Sequence, residues 1–364
     1  MTEPTPESLS APASPHRRRP RYSGKHPRRF TEKYKEHDPA RYGDTVAKVL
    51  ASGKTPAGTH RPIMVAEILE VLAPQPGELA ADCTLGYGGH AREILARLQP
   101  GGHLLGLDAD PLELPKTTTR LREMGFGPEC FSAHRSNFAG LPQVIAAYHV
   151  ANPTGGVAKS VGVDLILADL GVSSMQIDDP ERGFSVKFAG PLDMRMNPQR
   201  GQTAAALLAK IRPAALQTLL EEKADEPRAV ALAGALAGRN FATTSELGAA
   251  IRAALPSTGR DEADLAVRRV FQALRIAVND EFSALDTLLR HLPACLNPGG
   301  RVAILTFHSG EDRRVKKAFA AGLQSGVYAA IAEEVIRPTS AERHANPRSA
   351  PAKLRWARRA ADAA

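Results

Sequence analysis

Short apolar runs that end on an acid recur along this chain. Leu79–Ala81 runs into Asp82, Leu104-Leu-Gly-Leu107 runs into Asp108, and the run from Val163 to Leu170 carries Asp169. Runs of this length between turn signals predict buried parallel strands. Between the first two, a turn with Gly86, Gly88 and Gly89 precedes a helical period from Ala91 to Leu98. Strand, glycine loop, helix, strand, acid is the opening unit of a nucleotide-binding α/β sheet. Upstream, Pro62 followed by Ile63, Val65, Ile68, Leu69 and Leu72 predicts an amphipathic helix with Pro62 in its first turn. A weaker strand is predicted around Cys130–Ala133, and Gly299–Phe307 reads as another buried strand.

After residue 170 the pattern changes. Residues 171–202 have no convincing period, and residues 203–256 read as short helices over Ala204–Ile211, Ala214–Lys223, Arg228–Arg239 and Ser245–Leu255. One long helix over roughly Leu265–Leu289 then returns the chain to the sheet. The predicted fold class is α/β, a sheet interrupted by an inserted helical domain. The predicted divisions are a disordered basic extension over 1–58, the first part of the sheet domain over 59–199, a substrate-recognising insert over 200–268, and the rest of the sheet domain with a basic segment over 269–364.

Composition narrows the class. Hydrophobic residues make up 43% of the 364, enough for a full core. Cys83, Cys130 and Cys295 have neither even pairing nor metal-ligand spacing, so the reading is a reducing compartment without disulfides, structural zinc or another metal site. No apolar run reaches the length of a membrane span and no leader peptide is evident, so a cytoplasmic protein is expected. The net charge of +8 sits at the ends: +7 in residues 16–41 and +6 in residues 337–359, leaving a net −5 elsewhere. Basic flanks attract polyanions, and Tyr22, Phe30, Tyr34 and Tyr42 among the N-terminal cations could stack on bases, which points to RNA.

In open parallel sheets, ligands lie beyond the carboxyl ends of the strands. The predicted ends are Asp82, Asp169 and His308. The glycine spacing is Gly-x-Gly-Gly, which fits a dinucleotide poorly, and no Gly-x-x-x-x-Gly-Lys-Ser/Thr loop is present. An acid four residues before the first glycine suits a ligand with an amino group. S-adenosylmethionine has that group, a carboxylate for a helix N-terminus, and a ribose diol for Asp108. Plainer readings stand beside these: a tight turn for the glycines, a turn cap for Asp169, and a satisfied histidine at a strand terminus for His308.

Longer motifs then add a resemblance. Thr84-Leu-Gly-Tyr-Gly-Gly-His90, Asp169-Leu-Gly-Val-Ser-Ser174, Gly190-Pro-Leu-Asp-Met-Arg-Met196, Phe271-Gln-Ala-Leu-Arg-Ile-Ala-Val-Asn-Asp-Glu281, Phe307-His-Ser309 and Asn346-Pro-Arg-Ser349 follow one another in order. Over about residues 60–356 the chain resembles the bacterial 16S rRNA (cytosine-N4) methyltransferase family, RsmH/MraW. The resemblance implies a class I, Rossmann-like methyltransferase sheet with a helical insert, S-adenosylmethionine as donor, and a cytidine in the decoding centre of small-subunit rRNA as target. It assigns donor binding to Gly88, Gly89, His90, Asp108, Phe138, Asp169 and Gln176, to which the residue reading adds Asp82 and Gly86. Asp169 is the expected partner of the target amine, with Asn279 and His308 as further candidates for holding the base. Arg182, Arg195 and Arg200 are expected near the RNA entrance. The basic N-terminal extension lies outside the resemblance. Two rival classes use the same sheet: an NAD-dependent oxidoreductase, and a non-catalytic RNA-binding or assembly factor.

Overall fold

A computed structural model describes residues 62–153 and 161–361. The expected basic extension over 1–58 therefore lies outside the described residues. Seven strands form one sheet: β1 (Leu79–Asp82), β2 (His103–Asp108), β3 (Phe131–Arg135), β4 (Val163–Asp169), β5 (Leu296–Thr306), β6 (Tyr328–Ile331) and β7 (Lys353–Arg359), in the order β3-β2-β1-β4-β5-β7-β6. β3, β2, β1, β4 and β5 are parallel, while β7 is antiparallel to both β5 and β6. The chain builds outward from β1 through β2 to β3, then restarts on the other side at β4. That reversal opens a crevice at the carboxyl ends of β1 and β4.

Alternate residues along each strand face opposite layers. Ala81, Leu105, Leu107, Ile166 and Ala168 face one core with Leu141, Val144 and Ile145 of α4 (Leu141–Ala151). Ala80, Leu104, Leu165 and Leu167 face a second core. It is completed by α1 (Val65–Leu72), α2 (Gly89–Leu98) and α3 (Glu113–Glu123). Both faces are covered, so the strands read as unbroken apolar runs. α1 starts at Val65 and not at Pro62, because Met64 adopts left-handed geometry at φ 56° and its N–H bonds Glu342 Oε1 at 2.8 Å.

After β4 the chain forms α5 (Ser174–Asp178), a 3-10 turn over Pro180–Arg182, and irregular backbone to residue 203. Five helices follow: α6 (Ala204–Lys210), α7 (Pro213–Ala224), α8 (Ala229–Leu236), α9 (Thr244–Ala253) and α10 (Arg260–Val278). They bury Leu208, Leu220, Leu232, Leu247, Val270 and Leu274 in a cluster separate from the sheet's two cores. Thr203 and Thr243 accept backbone N–H bonds at the starts of α6 and α9, which is why these segments begin where they do.

The long helix expected over Leu265–Leu289 is two helices, α10 and α11 (Glu281–Cys295). Asp280 takes φ 51°, a conformation Asn and Asp tolerate better than most residues, and the chain turns there. α10 closes the helical cluster, so its core extends past residue 268, while α11 packs Leu285, Leu288 and Leu292 on the sheet. α12 (Ser309–Gln324) and α13 (Ser340–Ala345) complete the fold. The end of the basic C-terminal segment is β7, and three of the strand's four cations are engaged. Lys353 and Arg355 bond Asp312 at 2.9 and 2.6 Å, and Arg359 bonds the Leu296 carbonyl. Among the described residues, no helix is long and apolar enough to cross a membrane, and no cluster of His, Cys, Asp and Glu could hold a metal ion.

Candidate active site

Three acids stand at the tips of neighbouring strands β2, β1 and β4, and the glycine loop links them. Asp82 is 1% exposed, lies behind the cavity wall, and accepts from the Thr84 N–H at 3.0 Å. Thr84 Oγ1 accepts from the Asp169 N–H at 2.7 Å, pinning the end of β4 to the loop. Asp108 accepts from the Gly86 N–H at 2.8 Å and from the Asp110 N–H at 2.8 Å. Gly86 and Gly88 take positive φ of 49° and 81°, which L side chains rarely adopt. A Cβ on Gly88 would come within 3.0 Å of Thr117 Cγ2, so the turn also needs the missing side chain to pack on α3.

Burial pushes the Asp82 carboxyl up to about 6, with the Asp169 and Asp108 charges adding to it and His90 and the Thr84 N–H opposing. Burial likewise pushes Asp108 up to about 6, against its two backbone hydrogen bonds. This crowding of carboxyl groups suits a cationic ligand. His90, in the first turn of α2, is 8% exposed, and its Nε2 lies 3.4 Å from Asp169 Oδ2 without a hydrogen-bond partner.

A cavity of about 990 Å³ runs along these strand tips. Gly86, Gly89, His90, Asp108, Phe138, Asp169 and Gln176 all line it, as does Asn279, whereas Asp82, Gly88 and His308 do not. Gln176 is held by the Ser173 N–H at 3.0 Å and gives its Nε2 to Asp110 at 2.9 Å. Asn279 is fully committed to backbone: it accepts from the Met196 N–H at 2.7 Å and donates to the Met194 and Arg275 carbonyls at 2.8 and 2.9 Å. It thus hangs the Met194–Met196 loop on the end of α10. His308 caps α12: Nδ1 accepts from the Glu311 N–H, and Nε2 sits 3.1 Å from Glu311 Oε1.

The three arginines expected at the entrance have different fates. Arg182 is buried, pairs with the buried Asp110 at 2.8 Å, and donates to the Arg195 and Met196 carbonyls at 3.2 and 2.9 Å. Arg195 grips Asp193 at 2.7 Å. Arg200 is exposed on the cavity wall with no side-chain hydrogen bond or ion pair among the described residues.

The far wall was not marked by strand tips. Arg275 holds Glu281 through two bonds of 2.8 Å, and Glu311, 3% exposed, accepts from the Phe307 N–H at 2.9 Å. Burial alone would raise Glu311, but His308 and Arg275 beside it hold it below its ordinary value. Asn346, Pro347 and Arg348 close another side, with Arg348 on the buried Asp178 at 2.7 Å. The sequence signal for this wall is the conjunction of Arg275, Asn279 and Glu281 in one motif, where Asn-Asp would interrupt a helix.

The model of the MraW methylase family matches residues 57–360. The chain belongs to that family. This MraW-family enzyme is a methyltransferase, and the α/β fold class and family expected from its motifs hold. Ribosomal RNA small subunit methyltransferase H 2 of Alkaliphilus metalliredigens is 49% identical to it, over 93% of this chain and 97% of its own. Ribosomal RNA small subunit methyltransferase H 1 of Lachnoclostridium phytofermentans is 47% identical over 94% and 93%. A relative from Symbiobacterium thermophilum, Ribosomal RNA small subunit methyltransferase H, is 40% identical over 81% and 95%. Solved structures align loosely, for example a putative rRNA-methylase from Clostridium thermocellum at 9% identity and TM-score 0.38, over 80% of this chain and 94% of its own. The family model begins at residue 57, which leaves the basic N-terminal extension outside the family pattern as expected, while the matches over 93% and 94% of the chain reach into part of that extension.

Proposed function

We propose that this enzyme acts in the cytoplasm, uses S-adenosylmethionine, and methylates the N4 amine of a cytidine in the decoding centre of 16S rRNA. The observation that carries this reading is Asp169, a partly exposed carboxylate on the cavity wall between the glycine loop and the Arg275–Glu281 wall. The names of the relatives support small-subunit rRNA as the substrate.

The residues present fit the donor. Asp108 has acceptor capacity left for a ribose diol, and Phe138 lines the same cavity for the adenine. Gly89 and His90 open α2, whose N-terminus suits a carboxylate. Asp82 acts from behind the wall as buried negative charge, and Gly88 shapes the turn. When bound, the donor supplies an electrophilic methyl group: the C–S bond breaks with its pair going to sulfur as the N4 lone pair forms the new N–C bond, and one N4 proton must leave.

Cytosine N4 is a poor nucleophile because its lone pair is delocalised into the ring. Asp169 accepts an N4–H bond, turns the lone pair out of conjugation, and aligns it for attack. The base must leave its stack to reach this depth. In this reading Asn279 and His308 hold the wall and do not touch the base, and Arg200 with the helices from α6 to α10 grips RNA. Asp169→Asn should lower the single-turnover rate about 100-fold and change donor affinity less than about threefold. Calorimetry and quench-flow on small subunits separate the two. A variant that loses donor affinity but keeps its single-turnover rate refutes the role.

A further inference from the structure

We propose that His90 takes up, through Asp169, the proton that the acceptor amine gives up; this rests on the function proposed above. The ring is more than nine-tenths buried at the first turn of α2 and faces the cavity, yet its Nε2 has no hydrogen-bond partner. A buried polar atom left unpaired costs about 1–3 kcal/mol, so one facing a reaction cavity calls for an explanation. Asp169 Oδ2 lies 3.4 Å from Nε2. An unprotonated Nε2 and Oδ2 are two acceptors facing each other, a pair that can hold one proton between them.

The electrostatics fit one turnover. The bound donor would carry a positive charge on sulfur, which the crowded carboxyl groups at the strand tips suit. After transfer that charge survives only as the released proton. It passes from N4 to Asp169 Oδ2 and on to His90 Nε2, so nitrogen ends neutral and the ring ends cationic. Asp82 and Asp169, the acids that face the ring, stabilise the cation until solvent collects the proton. Asp169 alone, already hydrogen-bonded to N4, would have to carry the proton on the group that orients the nucleophile.

The test compares wild type, His90→Ala, Asp169→Asn and the double variant in single-turnover methyl transfer to small ribosomal subunits, with S-adenosylmethionine affinity measured separately by calorimetry. His90→Ala should slow transfer about 30- to 100-fold, and added imidazole should restore a measurable part of the loss. The double variant should be no slower than the slower single variant within about threefold, because the two residues act in series. In the donor-free protein the ring-nitrogen NMR signals of His90 should move on Asp169→Asn, a readout independent of turnover. Loss of donor affinity with an unchanged single-turnover rate, multiplicative losses in the double variant, or ring signals indifferent to Asp169→Asn each overturn the relay. If wild type transfers no methyl group to the subunit, the proposed function falls and the relay falls with it. Active wild type with an unimpaired His90→Ala removes the relay alone.

Discussion

Donor binding should weaken steeply in mild acid. Asp108 and Asp82 each protonate at about 6 when no ligand is bound, because burial disfavours their charged forms. A cationic donor selects the ionised forms, so each carboxyl that must lose a proton adds one unit to the slope of log Kd against pH below 6. At pH 5 a group of this kind is about one-tenth ionised, so each contributes about tenfold and the pair about 100-fold, or about 2.7 kcal/mol, relative to pH 7. The donor's own carboxyl and amino groups titrate near about 3.5 and 8, outside this window. Calorimetric titration with S-adenosylmethionine from pH 5 to 7 measures the slope, and Asp82→Asn should reduce it from two towards one. The same substitution has an opposite effect on folding. A raised carboxyl stabilises the fold below its unfolded value near 3.8 and loses that contribution as pH rises through about 6. Asp82 is 1% exposed, so replacing it by Asn should stabilise the donor-free protein at pH 7 by up to about 3 kcal/mol while weakening donor binding. A flat affinity profile in wild type, or an unchanged slope in Asp82→Asn, refutes the electrostatic account of this crevice.

Among the described residues, Arg182→Met leaves the buried Asp110 side chain with only Gln176 and the Leu112 N–H, and releases the Arg195 and Met196 carbonyls. Urea unfolding should register a loss of about 3 kcal/mol, and a change under about 1 kcal/mol would remove Arg182 from the structural role assigned here. Arg200→Ala should weaken binding to a small-subunit RNA fragment and lower the salt slope by about one. Filter binding at several salt concentrations reads this, and an unchanged slope would mean that Arg200 touches no phosphate.

The glycine-loop side of the cavity was legible in the sequence because it is local. Asp82, the three glycines, His90 and Asp108 fall within one strand–loop–helix–strand unit, where spacing alone brings them together. The opposite side depends on contacts that span the chain, such as Asp110 with Arg182, Met196 with Asn279, and Asp178 with Arg348. No period or local spacing announces these pairs. β7 was hidden for a different reason. Its lysine and arginines read as a basic tail, but Asp312 neutralises two of them while Leu354 and Ala357 are buried. The break between α10 and α11 was missed because Asn279 and Asp280 interrupt an otherwise continuous apolar period by only one residue's worth of backbone conformation.

The helical cluster departs after β4 and rejoins the sheet through α11, so both of its junctions lie on the rim of one crevice. Its hydrophobic interior is its own. A lineage could therefore exchange this whole block while the sheet and its glycine loop passed down unaltered.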